Sequence, residues 1–75
     1  MKLIQKNAVG TEVDSEATGK AIRALRKKKG VAVKDVAKET GLTVSLLYMM
    51  ERGLRPWNQK KFMAVIKAVK KLSGK

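Results

Sequence analysis

Toward the end of the chain, apolar residues fall at Phe62, Val65, Ile66, Val69 and Leu72. Their i, i+3, i+4, i+7 spacing is that of an amphipathic helix, about Gln59 to Leu72, and Asn58 stands in front of it as a cap. A second stripe, Ala21, Ile22 and Leu25, predicts a helix from Asp14 or Ser15 to about Lys29. Glu16 faces the positive start of that helix, and Arg26 to Lys29 suit its negative end, where Gly30 stops it. Val31 and Ala32 link to two short helices, about Val33 to Thr40 and Val44 to Arg52. Val36, Leu42, Leu47 and Met50 fall where these two helices face each other and the core. Ala37 is small where the helices cross, and Gly41 supplies the left-handed turn between them. Thr43 caps the second short helix and Gly53 ends it. Leu54 to Trp57 form a loop, because Pro56 removes a backbone donor and disfavours helix at Arg55. Trp57 is expected to plug the core beside the last helix rather than stack on a base.

Residues 1–14 have no helical period. Leu3 and Ile4 suit a short extended piece, and Asn7 to Thr11, with Gly10, suits a turn. Two readings stand: a mobile arm, or a strand pairing with a partner subunit. Lys2 and Lys6 fit an arm on a DNA backbone as well as a solvated tail. The expected organisation is therefore an N-terminal arm, 1–14, followed by one all-α domain, 15–75, a compact bundle of about four helices.

Composition narrows the function. The 75 residues suffice for one core, and a hydrophobic content of 44% is that of a globular chain. Cys is absent, so there are no disulfides or thiolate metal sites, and His is absent, which removes the commonest general base and zinc ligand. With six carboxylates, mostly at helix starts or on solvated faces, catalysis is not expected. Nothing points to a cofactor, a metal or a small-molecule ligand. No apolar run approaches the roughly 20 residues that span a bilayer, and a signal-peptide core is missing, which predicts the cytosol or nucleoid.

Charge changes the picture most. Eighteen Lys and Arg against six Asp and Glu leave +12, and after Glu51 there are eight cations and no acid. A solubilising surface usually mixes signs at a net charge of roughly 2–8. An excess this large and this uneven favours polyanions. Together with the pair of short helices over Val33 to Gly53, it points to a helix-turn-helix whose second helix enters the major groove of DNA.

Read together, GKAIRALRKKKG, VKDVAKETGLTVS and MERG make residues 19–72 similar to the Xre family, which includes phage repressors and Cro-like regulators. The resemblance implies a lambda-repressor-like fold and a transcriptional regulator, repressor-like, acting on double-stranded DNA. It also implies an ion pair between Arg26 and Glu51 that ties the first helix to the end of the third. The base-facing positions it implies are Thr43, Val44, Ser45, Tyr48 and Met49. The phosphate positions are Val33, Lys34, Arg52, Arg55, Asn58 and Lys60. A homodimer on a two-half-site operator is expected, since one helix in one groove buries little surface.

The chain departs from the family pattern where bases are read. Many relatives carry Gln at the position of Val33, and Gln, Arg or Asn at Val44 and Met49. Such side chains bond base edges in pairs, a discrimination of roughly 1–3 kcal/mol each. Val and Met can only pack on thymine methyls, which leaves the hydroxyls of Thr43, Ser45 and Tyr48. Phosphate attraction is then expected to dominate affinity. Two other uses of the surface remain. Leu46, Tyr48 and Met49 could form an apolar face for a protein partner, and the basic last helix could lie on an anionic membrane. Closing the bundle is the better use of that last stripe, so a membrane is not expected as a partner.

Overall fold

The structure, a computed structural model, describes residues 3–4 and 13–74. Among these residues there are four helices: α1 (Ser15–Lys28), α2 (Val33–Thr40), α3 (Val44–Glu51) and α4 (Gln59–Ser73). The expected all-α bundle is the observed fold, with helix ends within one residue of those read from the sequence.

Local chemistry sets the boundaries. The Asp14 carboxylate accepts from the Ala17 N–H at 3.0 Å, the Thr43 hydroxyl from Leu46 N–H at 3.0 Å, and the Asn58 side-chain carbonyl from Lys61 N–H at 2.8 Å. Each satisfies a donor that the first helical turn leaves without a partner. Gly41 ends α2 at φ 76°, and its N–H donates to the Ala37 carbonyl at 2.9 Å. The Thr40 hydroxyl reinforces this corner by donating to Val36 O at 2.8 Å and accepting from Leu42 N–H at 3.3 Å. A side chain other than Gly at position 41 would be held in a backbone region disfavoured for L-residues.

Helix α1 packs on α3 and α4, and α2 packs on both as well. The core between them holds Ile22, Val36, Leu47, Met50, Phe62, Val65 and Val69, all almost fully buried. Trp57, 3% exposed, closes one end. Its indole N–H donates to the Met50 carbonyl at 2.9 Å, and its ring meets Phe62 edge-on with centroids 6.3 Å apart.

Five positions differ from the apolar pattern. On α1 the buried surface extends back to Thr18 and Gly19, while Ala21 and Leu25 are only half-buried. Gly19 is buried because a Cβ there would fall on the carbonyls of Met50 and Glu51, so its absence lets α1 touch the α3 backbone. Val31, expected as a link, is core.

Leu3 packs against the core, Ile4 N–H donates to the Thr18 hydroxyl at 3.2 Å, and Ile4 O accepts from Asp14 N–H at 2.7 Å. The described part of the N-terminal arm thus lies on the start of its own α1. The expected turn over Asn7 to Thr11, and the arm residues Lys2 and Lys6, lie outside the described residues.

Candidate nucleic-acid interface

Helix α3 sorts its eight residues by period. Leu47, Met50 and Glu51 are buried, and Leu46 packs partly on the core. The opposite side carries Thr43, Val44 (37% exposed), Ser45 and Tyr48 (46% exposed), with Met49 half-buried. The outer face is therefore short, weakly polar and uncharged until Arg52 at the helix end. Because Leu46 turns inward, the apolar surface on this face reduces to Val44 and Tyr48 beside Met49.

Glu51 holds the other end of the helix. Arg26 Nε donates to one Glu51 carboxylate oxygen at 2.9 Å and its Nη2 to the other at 3.1 Å, while Nη1 donates to Val31 O at 3.1 Å. The planar guanidinium thus fits the carboxylate with two parallel bonds, a geometry Lys cannot reproduce. The Glu51 hydrogen bond raises the Arg26 pKa above its already alkaline value; burial opposes this without reversing it. The pair joins α1, the α1–α2 link and the end of α3.

The cations expected at phosphate positions all lie at the surface. Lys34, Arg52, Arg55 and Lys60 are exposed. Helix α2 has no side-chain cap at Ala32; Asp35 N–H donates to the Ala32 carbonyl at 3.1 Å, which leaves the Val33 and Lys34 amides of the first turn available for an anion. At the expected phosphate position Val33 the backbone and the side chain part company. Its side chain is 8% exposed and turned into the core, because the first apolar residue of α2 falls on the buried stripe. Only its backbone N–H can meet a phosphate. Asn58 is exposed, but its side-chain carbonyl is occupied in capping α4 through Lys61 N–H, leaving its amide NH2 and the Gln59 and Lys60 amides for a ligand.

Two surface features escape the motif. Leu54, between the cations Arg52 and Arg55, is 68% exposed. Arg23 and Lys27 line a concavity of about 280 Å³ with Arg26, Tyr48, Glu51 and Arg52. Arg23 and Lys27 are both exposed on α1. Their i, i+4 spacing, bracketing Arg26, was the available sign that they share its side of the helix.

No helix among the described residues is long and apolar enough to cross a membrane. A family model described as helix-turn-helix matches residues 22–71. No curated protein and no solved structure matches the chain.

Proposed function

The chain belongs to the helix-turn-helix family of Xre and lambda-repressor-like DNA-binding proteins, and from that premise we propose that α3 enters the major groove of double-stranded DNA with a modest sequence preference. DNA binding in transcription regulation is the activity of the family. The finer reading is a repressor-like regulator that binds as a homodimer on two half-sites, within the nucleoid.

One observation carries it. The exposed side of α3 carries no charge from Thr43 to Met49, while Lys34, Arg52, Arg55 and Lys60 are exposed cations and the start of α2 has no side-chain cap. Thr43 and Ser45 supply hydroxyls to base edges, and Val44 and Met49 supply apolar contact for thymine methyls. Tyr48 stands on the edge of that face nearest α1. Lys34, Arg52, Arg55 and Lys60, with the first-turn amides of α2 and α4, grip the strands on either side. Charged contacts then supply most of the affinity, and the α3 face ranks one sequence against another.

Selection of bound sequences from a random duplex pool tests the proposal. An enriched inverted repeat is expected from an operator-reading dimer. A pool that stays random, or enrichment of a half-site alone, would remove sequence preference or the dimer respectively.

A further inference from the structure

Three cations without acidic partners among the described residues meet at the seam of α1 and α3. Arg23 and Lys27 lie one turn apart on α1, and Arg52 caps the end of α3. Together with Tyr48 and the Arg26–Glu51 bridge they line the concavity of about 280 Å³. Among the described residues no carboxylate lies within ion-pair distance of Arg23, Lys27 or Arg52. Glu51, the single acid in the wall, already receives two N–H groups of Arg26. The walls therefore hold four cations against one carboxylate, a net +3.

Crowding like charges in one hollow is unfavourable until an anion enters, and the field it creates draws anions in. Guanidinium groups with free N–H donors, an ammonium and a phenol are the donor set that a tetrahedral phosphate oxyanion accepts from. The position of the hollow selects the source of the phosphate. Val44, Tyr48 and Glu51 follow at i, i+4 and i+7, so they share the edge of α3 that faces α1. Val44 and Tyr48 are also exposed on the outer face. The hollow thus opens along the border of the surface assigned above to the groove. A helix with its side chains is about 10–12 Å across and the major groove about 12 Å wide, so a sugar-phosphate strand runs close beside each edge of an inserted helix.

We propose that this hollow holds a backbone phosphate of the bound duplex, making α1, through Arg23 and Lys27, a phosphate clamp on the α1-side edge of α3. The inference rests on the DNA-binding reading above and extends it to a helix outside the helix-turn-helix pair.

The test is fluorescence-anisotropy binding of a labelled duplex at several KCl concentrations. It compares the full chain with an Arg23→Gln/Lys27→Gln variant and with a Lys20→Gln/Lys70→Gln variant that loses the same charge outside the hollow. All four side chains are exposed, and thermal unfolding checks that each variant is folded. Losing one phosphate contact is expected to reduce the slope of log K against log[salt] by about 0.9, which at 0.1 M salt is roughly an eightfold loss of affinity. The Lys20/Lys70 variant is expected to keep the slope. An unchanged slope in the Arg23/Lys27 variant, or an equal fall in both variants, overturns the clamp while leaving the wild-type slope, and the DNA-binding reading, intact. A flat wild-type titration instead rejects that reading itself. Inorganic tripolyphosphate provides the remaining arm: if it binds tightly and loses binding in the Arg23/Lys27 variant while the duplex slope does not move, the hollow belongs to a free polyphosphate and the clamp is refuted.

Discussion

Glu51→Gln isolates what the α1–α3 strut contributes. The substitution keeps size and shape but removes the charge and turns one acceptor of the bidentate bond into an NH2 facing the guanidinium. The Glu51 side chain is 4% exposed and the Arg26 side chain 12%, so neither is rescued by bulk water. Breaking a buried pair by removing one partner costs about 3–5 kcal/mol. Arg26 keeps its bond to Val31 O and some access to solvent, which places the expected loss at the lower end, about 3 kcal/mol. Against a total stability of 5–15 kcal/mol typical of single domains, that is a large share. Urea unfolding followed by the fluorescence of Trp57, the single tryptophan, reads it directly, since the indole is bonded to the carbonyl of Met50, next to Glu51. With a slope of about 1 kcal/mol per molar urea, the midpoint should fall by roughly 3 M, or the melting temperature by roughly 12–24 °C. The double variant Arg26→Met/Glu51→Met, apolar at both ends, should recover most of the loss, because it leaves no charge buried alone. A Glu51→Gln midpoint within about 1 M of wild type would show that the pair carries little of the fold, and the reasoning would be wrong.

Other perturbations separate the remaining parts. Ser45→Ala should reorder the ranking of duplex sequences in a competition assay, whereas Arg55→Gln should weaken every duplex by a similar factor and reduce the salt slope by about one contact. Gly19→Ala places a methyl group against the Met50 and Glu51 carbonyls, which flexible side chains cannot relieve, and should destabilise the fold by about 1–3 kcal/mol in calorimetry. The raised Arg26 pKa means that its stabilising contribution is present throughout the neutral range, where Glu51 is charged, and on the alkaline side is lost only as pH rises through that raised value. With no histidine in the chain, the melting temperature should then vary little between about pH 6 and 9.

Much of this molecule can be read from residue order because its helix limits are local chemistry. Asp14, Thr43 and Asn58 cap at hydrogen-bond distance, and Gly41 has the positive φ that its place after a short helix demands. The stripe Phe62, Val65, Ile66 and Val69 is buried as its period requires. What the pattern hides is pairwise. Gly19 looks like an ordinary weak helix residue until the α3 backbone is seen against it. Thr18 is polar, yet it is fully buried with its hydroxyl receiving the Ile4 N–H. The resemblance implies a phosphate position at Val33, but a β-branched apolar side chain at the start of the α2 stripe goes to the core. The α3 face is legible as exposed, since the period of a helix fixed by Leu47 and Met50 leaves Val44, Ser45 and Tyr48 outward. The grouping of Arg23 and Lys27 with Arg52 depends on how α1 and α3 cross, which no single-helix period contains.

The central claim is that the outer side of α3 is the surface that meets DNA. Backbone amide NMR shifts on titration with a duplex address it most directly. The largest changes are expected at residues 43–52 and in the first turns of α2 and α4, with the second half of α4 unmoved. Shifts concentrated in that second half, with residues 43–52 silent, would contradict it.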